Sequence, residues 1–252
     1  MRWTALAFGL GVYAAALVAL APATLVDGRL ARASEGRVRL AEARGSLWSG
    51  AGWIEIRDAD GRVGIAKRLR WQVLPGSLLR GRLSVAVELD QAGRPFPVTL
   101  SPSRIEVAEA GISVPAAVLG LGMPRIAPLR LTGEVLVEIP RLSVERGRIE
   151  GEATLTWRAA GSALAPISPL GDYEVRFKGV GPAVHAALRT LEGPLQLEGK
   201  GTWTNGAPAS YLVAARVPAQ HQEQLAPLFR LIAVERGAGN FELNSSNALL
   251  AR

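Results

Sequence analysis

The sequence contains no cysteine and only two histidines, His185 and His221. Without cysteine there is no disulfide framework, zinc finger, iron–sulfur cluster or thiol nucleophile. Two histidines exclude a His-rich metal site. Aromatic residues make up only 6% of the 252 positions and charged residues 20%, a low share for a freely soluble protein. Catalytic signatures are missing as well: there is no G-x-S-x-G elbow, H-E-x-x-H, Walker A loop or strand-linked G-x-G-x-x-G. Gly120-Leu121-Gly122 is followed by Met-Pro and lacks the helix N-terminus that a phosphate needs. Neither histidine has an evident Ser or Asp partner. Glu150 and Glu152 share a strand face whose Thr neighbours continue the polar surface, so both are expected in solvent. No enzymatic activity, cofactor or metal is expected.

What the chain does have is apolar content and an uneven charge. Apolar residues make up 48%, and 28 Gly with 16 Pro imply many turns. The length allows one large β domain or two smaller ones, with a proper core in either case. Net charge is +7, and a pI near 10.6 invites a nucleic-acid partner. The distribution argues otherwise. Residues 1–26 hold one charge, Arg2; residues 27–82 hold twelve Lys/Arg against six acids; residues 83–252 hold sixteen of each sign. There is no basic recognition helix and no run of stacking aromatics among the cations. No nucleic-acid partner is expected.

The excess follows directly on 24 residues without a charge, Trp3 to Val26. About 20 apolar residues cross a bilayer as a helix. Trp3 stands at one end of the run as an interfacial aromatic, Leu10 and Leu17 lie within it, and Val26 closes it before Asp27-Gly28-Arg29. A cleaved signal peptide is the alternative, with loose small-residue sites at Ala19-Leu20-Ala21 and Ala21-Pro22-Ala23. The apolar run is too long for it and the basic leader too short. The expectation is an uncleaved anchor over 1–27 and a β-rich domain over 28–252. Arg29, Arg32, Arg37 and Arg39 would then lie near phospholipid headgroups, at about 1 kcal/mol for each cation close to an anionic surface. Those same cations, by the positive-inside count, favour a cytoplasmic domain. That count governs short loops, whereas long domains cross largely regardless of charge. A thiol-free β domain fits the periplasm.

Beyond the anchor the pattern has period two. Leu83, Val85, Val87 and Leu89 alternate with small or polar residues; so do Leu131 to Ile139 (Leu136 excepted), Ile149 to Trp157, and Tyr173 to Phe177. These are antiparallel strands with one wet face. Turns are expected at Asp60-Gly61, Ala92-Gly93, Arg146-Gly147 and Asn205-Gly206, the last as a type I′ hairpin. Gly147–Trp157 aligns with Gly193–Trp203 as an internal repeat of Gly, aliphatic, Glu, Thr and Trp. Helix is expected only over Pro115–Leu121 and Ala219–Glu235, where Leu225, Leu228, Phe229 and Ile232 form a stripe and Pro227 would kink the helix.

Several landmarks have a familiar order. They are Gly45-Ser46-Leu47-Trp48-Ser49-Gly50, Leu69 to Pro75 with Trp71, Leu78-Leu79-Arg80-Gly81, Gly151 to Trp157, Leu170-Gly171-Asp172-Tyr173 and Gly199 to Trp203. Behind an N-terminal anchor, this order resembles the N component of the bacterial type II secretion system (general secretion pathway protein N) over nearly the whole chain. The resemblance implies a bitopic inner-membrane protein whose periplasmic β domain belongs to the apparatus exporting folded proteins across the outer membrane. Its partners would be other secretion components. It also implies kinship with AsmA-like proteins, whose curved sheets form an apolar groove. The expected fold is therefore mainly β, a transmembrane helix followed by a curved antiparallel sheet, sandwich-like or an open groove. Lipid binding in that groove is the alternative function. The landmark residues themselves (Gly45, Leu47, Trp48, Gly50, Trp71, Pro75, Leu79, Gly81, Trp157, Gly171, Tyr173, Trp203) read as structural. Five tryptophans, Trp48, Trp53, Trp71, Trp157 and Trp203, can fill the interior of a curved sheet, with Leu78-Leu79 plugging one end.

Overall fold

The computed structural model describes residues 19–57, 63–90, 94–122, 126–225, 234–237 and 239–244, with four positions between 10 and 17. The chain divides into two compact units, Met1–Pro95 and Phe96–Arg252.

In the first unit a helix α1 (Thr24–Ala33) precedes four strands: β1 (Val38–Gly45), β2 (Ser49–Arg57), β3 (Val63–Leu74) and β4 (Leu83–Leu89). A single helical turn α2 (Pro75–Leu78) opens the β3–β4 connection, with Pro at its first position where a missing N–H costs nothing. Each strand pairs antiparallel with the next, in chain order. The core of this unit is Ala23, Leu40, Leu69 and Trp71. Strand β4 coincides with the alternating run expected at 83–89.

Helical geometry does not run unbroken to Val26. The chain leaves helical geometry at Ala21-Pro22-Ala23, where Pro22 bridges to Ser46, and α1 then runs across residues 27 and 28. Ala21 and Ala23 are buried, and Val26 packs on the core. Proline cannot continue a helix without losing a hydrogen bond. Asp27 in the first turn and Arg32 in the last complement the dipole of α1, which explains a new helix here. Leu10 and Leu17 are helical and exposed, while Trp3 lies outside the described residues. Among the described residues, no helix is long and apolar enough to cross a membrane.

The second unit has ten strands: β5 (Phe96–Leu100), β6 (Arg104–Pro115), β7 (Leu131–Glu145), β8 (Arg148–Ser162), β9 (Gly171–Gly181), β10 (Ala183–Glu192), β11 (Gln196–Thr204), β12 (Ser210–Arg216), β13 (Val234–Gly237) and β14 (Asn240–Asn244). They lie in chain order except at the end, where β14 sits between β12 and β13. The pairing is antiparallel and the sheet open, so the mainly β reading holds. Helix α3 (Ala117–Gly122) falls where a short helix is expected.

Period two breaks in β7 for a physical reason. Its register against β8 shifts between Glu138 and Arg141, around Pro140, and a bulge is where a proline fits inside a sheet. Apolar positions consequently move from Val135 and Val137 to Leu142 and Val144. Strand β6 keeps step, moving from Ile112 and Val114 to Ile105 and Val107. Alternation alone reads such a switch as an exception.

Two expectations are corrected. Arg146-Gly147, with positive φ at both residues, is the two-residue I′ turn; Asn205-Gly206 lies in a longer connection with positive φ only at Gly206. The expected helix 219–235 is a 3-10 turn at Ala219–His221 followed by one helical turn to a buried Leu225, and Val234–Gly237 is strand. Pro227, Leu228, Phe229 and Ile232 lie outside the described residues, as do Asp60-Gly61 and Ala92-Gly93.

Candidate functional site

Eight of the twelve landmark residues meet at one end of the first unit. Antiparallel pairing puts the β1–β2 turn and the β3–β4 connection at the same end, since Gly50 faces Trp71 and Ser49 faces Gln72. The end is laced by hydrogen bonds. The Trp71 indole N–H donates to the Leu47 carbonyl at 3.1 Å, and the Val73 N–H to the Trp48 carbonyl at 2.6 Å. The N-terminal segment joins here too: Leu47 N–H donates to the Ala21 carbonyl at 2.8 Å and Ala23 N–H to the Gly45 carbonyl at 3.2 Å.

The landmark glycines have specific work at this end. A Cβ on Gly50 would stand 2.3 Å from Trp71 Cζ2 and 2.7 Å from the Arg44 carbonyl, so the indole lies flush on bare backbone. Gly45, at φ +94°, would bring a Cβ within 2.5 Å of the Ser49 carbonyl. Gly50→Ala is therefore expected to destabilise the first unit by about 1–3 kcal/mol through overpacking. Amide hydrogen exchange in β2 and β3 measures it, and unchanged protection would contradict it. Past Pro75 and Gly81, one landmark behaves differently. Leu79 does not plug the sheet; it is 93% exposed. Nor do all five tryptophans fill an interior: Trp53 is half-buried with the Arg68 guanidinium 5.3 Å above its ring, and Trp203 is 41% exposed.

The expected headgroup cations are spread along the first unit. Arg29 and Arg32 lie on α1; Arg37 and Arg39 lie near the far start of β1. Arg39 forks onto Asp27, with Nε to Oδ1 at 2.9 Å and Nη2 to Oδ2 at 2.7 Å. That pair and the Leu40 N–H, 2.8 Å from the same carboxylate, hold the Asp27 pKa down at about 2.

In the second unit, Trp157 and Tyr173 face each other across β8 and β9, ring centroids 6.1 Å apart. Trp157 Nε1 donates to the Thr132 carbonyl at 2.9 Å and the Tyr173 hydroxyl to the Leu195 carbonyl at 3.1 Å. Burial pushes the Tyr173 phenol well above its usual range. A Cβ on Gly171 would reach 2.9 Å from that hydroxyl. These residues seal the main core with Leu170, Val217, Leu225 and Phe241.

The other end of the same face is open. Strands β8 and β11 run in opposite directions, so the two Gly…Trp segments place Trp157 and Trp203 at opposite ends. Around Trp203, packed at 6.5 Å against Phe177, lies a groove of about 240 Å³ lined by Val175, Ala186, Gly199, Gly201, Tyr211 and Val213. Glycines at 199 and 201 and alanine at 186 leave the floor low. The opposite face carries a mixed trough of about 510 Å³ between Arg189, Glu198, Lys200 and Arg216.

The histidines and the two strand-face glutamates make only local contacts. His185 Nδ1 lies 3.1 Å from Thr202 Oγ1 on an exposed strand, and the Gln220 amide donates to His221 Nε2 at 3.2 Å. Glu150 and Glu152 are exposed, the latter paired with Lys178 at 3.4 Å. Among the described residues there is no cluster of three or more His, Cys, Asp or Glu able to hold a metal.

Residues 36–244 match the family model of type II secretion system protein N. The chain belongs to that family. The match begins just before β1, runs through both units and ends with β14, so every landmark lies within it. No curated protein and no solved structure matches the chain. Membership makes the chain a component of the type II secretion system and gives a physical meaning to its landmarks. In this protein N the landmark glycines and tryptophans fix close contacts between strands, at one end of the first unit and at both ends of the second. Sequence reasoning missed the exposed apolar tip at Leu79. The sequence marks only the surroundings of the tip: from Gly61 to Val87 there are six cations and no acid.

Proposed function

We propose that this protein N is an inner-membrane-anchored periplasmic component of the type II secretion system that supports export of folded proteins by protein–protein contact. Family membership over residues 36–244 carries the reading. The anchor is Trp3–Leu20, 18 charge-free residues before the break at Ala21. As a helix they reach about 27 Å, enough for a thin hydrocarbon core.

Deleting the gene is expected to leave exoproteins in the periplasm, with release restored by the intact gene. Secretion at the normal level in the deletion strain would count against the supporting role. A reporter fused at the C-terminus should be active only as a periplasmic enzyme.

A second reading has one observation in its favour, the wholly apolar groove beside Trp203. At about 240 Å³ it is smaller than the roughly 300–1,000 Å³ that encloses a drug-sized ligand, so it holds part of one acyl chain at most. Phospholipid retained by the purified protein in native mass spectrometry, and lost in Gly201→Leu, tests it. A lipid-free spectrum for the unsubstituted chain excludes it.

A further inference from the structure

We infer that the β3–β4 tip, residues 74–82, is a second membrane contact that dips leucines into an anionic bilayer beside the anchor. The tip reads Leu74-Pro75-Gly76-Ser77-Leu78-Leu79-Arg80-Gly81-Arg82. Leu79 is 93% exposed, with Leu74 at 44% and Leu78 at 42%. Three exposed leucines in six residues form an apolar prominence that no described residue of the first unit covers. Isolated surface leucines need no explanation, but a cluster at a hairpin tip marks an interaction site.

The tip is built, not slack. Ser77 Oγ donates to the Leu74 carbonyl at 2.7 Å and accepts from the Ser84 N–H at 2.9 Å. The Arg80 and Gly81 N–H groups donate to the Ser77 and Leu78 carbonyls, each at 3.0 Å. The backbone therefore presents Leu78 and Leu79 outward in a fixed turn. Arg80 and Arg82 flank them, with no acid between Asp60 and Glu88 to oppose their charge. Leucines at the apex with arginines behind them match the layering of an interface, with acyl chains below and phosphates above.

Placement chooses a bilayer over a protein partner. The tip and the Ala21–Ala23 segment lie at the same end of the unit, joined through the Leu47-Trp48 turn that bonds to both Ala21 and Val73. The chain immediately before Ala21 is the charge-free run, ending in an exposed Leu20. Whatever surface receives that run lies next to the tip. Arg37 and Arg39, by contrast, are about 20–26 Å along β1 from Gly45. Arg80 and Arg82 thus take over the headgroup role first expected of those two.

The inference rests on the proposed anchor, and its test separates the two. Because the chain has no cysteine, Leu79→Cys and Ala66→Cys each give one labelling site. Ala66 is an exposed control about 26 Å away along β3. The full chain carrying an environment-sensitive fluorophore is reconstituted into phosphatidylcholine vesicles containing phosphatidylglycerol and a lipid-borne quencher. The label at 79 should be quenched and the label at 66 should not. Arg80→Glu with Arg82→Glu should reduce the quenching at 79 by about three-fold or more, with the chain still floating with the vesicles. A vesicle-bound chain whose label at 79 stays open to an aqueous quencher overturns the tip contact and leaves the anchor standing. Equal quenching at 66 and 79 overturns it as well. A change at 79 that needs an added secretion protein and no lipid reassigns the tip to a protein partner. Failure to float at all overturns anchor and tip together.

Discussion

Trp71→Ala is expected to cost the first unit about 3–5 kcal/mol, the range for removing a buried indole. Trp71 is 7% exposed and sits among Ala23, Leu40 and Leu69, with Val26, Leu30 and Val87 packed on that cluster. Its ring lies on Gly50 and its N–H on the Leu47 carbonyl, so the substitution opens a cavity and releases the β1–β2 turn together. Trp71→Phe keeps much of the apolar area, loses the hydrogen bond, and should cost about 1–2 kcal/mol. The sharper expectation concerns the pair. Gly50→Ala is costly in part because the indole occupies the space of its Cβ and in part because the Arg44 carbonyl lies 2.7 Å from it. In a Trp71→Ala background the share due to the ring should vanish and the backbone clash remain, giving a coupling of about 1–2 kcal/mol. Hydrogen exchange at β2 and β3 amides reads all four proteins locally, which matters where two units can unfold separately. Strict additivity would mean that the ring is not what excludes a side chain at position 50. The N-terminal segment should also loosen in Trp71→Ala, because Ala21 and Ala23 are held by the same turn.

How far the sequence reveals this molecule depends on which physical signal each feature leaves. Strand β4 and the middle of β8 and β9 were legible to the residue because alternation is strict where both neighbours pair in constant register. The bulge around Pro140 was not, since a parity change looks like a stray Leu136 until the partner strand is known. Turn chemistry misled in one place: Asn205-Gly206 has the favoured dipeptide, yet the I′ geometry belongs to Arg146-Gly147, where long strands meeting at Glu145 and Arg148 leave two residues to close the hairpin. Helix propensity misled at Ala219–Glu235, where Val234–Gly237 gains more by pairing with β14 than by extending a helix past a proline. Of the site, the glycines and tryptophans were visible as landmarks, and their crowding follows from spacing and residue type. Leu79 was visible and misassigned. A leucine in sequence says nothing about which side of a turn it leaves, and only the hydrogen-bonded tip shows that it points to solvent. Gly50 and Trp71 are 21 positions apart, and their contact depends on a register that no single segment encodes.

Asp27→Ala should detach α1 from the sheet at a cost of about 2–3 kcal/mol. Three donors converge on this carboxylate: Arg39 Nε, Arg39 Nη2 and the Leu40 N–H. The last is an edge group of β1, pointing away from β2, and Leu40 is buried, so the substitution leaves it without a partner. Ser34 performs the same service two turns on, its Oγ accepting from the Val38 N–H at 2.9 Å. Together they turn α1 into a cover for the sheet edge, and the backbone behind it is the kind that otherwise recruits a foreign strand. Asp27→Asn retains an acceptor for Leu40 but not the ion pair, and should cost about half as much. The pH dependence distinguishes charge from packing. Paired with Arg39, Asp27 has its pKa lowered from 3.8 to about 2, so its contribution is complete above pH 4 and is lost as the pH falls toward 2. Wild-type α1 amides should therefore lose protection across that window, an effect absent from Asp27→Asn. Equal acid sensitivity in the two proteins would assign the clamp to shape and not to charge. The clamp has a mechanical consequence as well. Residues 21–23 are bonded to the β1–β2 turn, and α1 is bonded to β1, so the segment from Ala21 to Ala33 is a brace and not a tether. Asp27→Ala should keep the family landmarks packed around Trp71 while letting α1 and the β1 edge exchange freely. Equal loss of protection in β3 would instead show that the brace and the core fold as one.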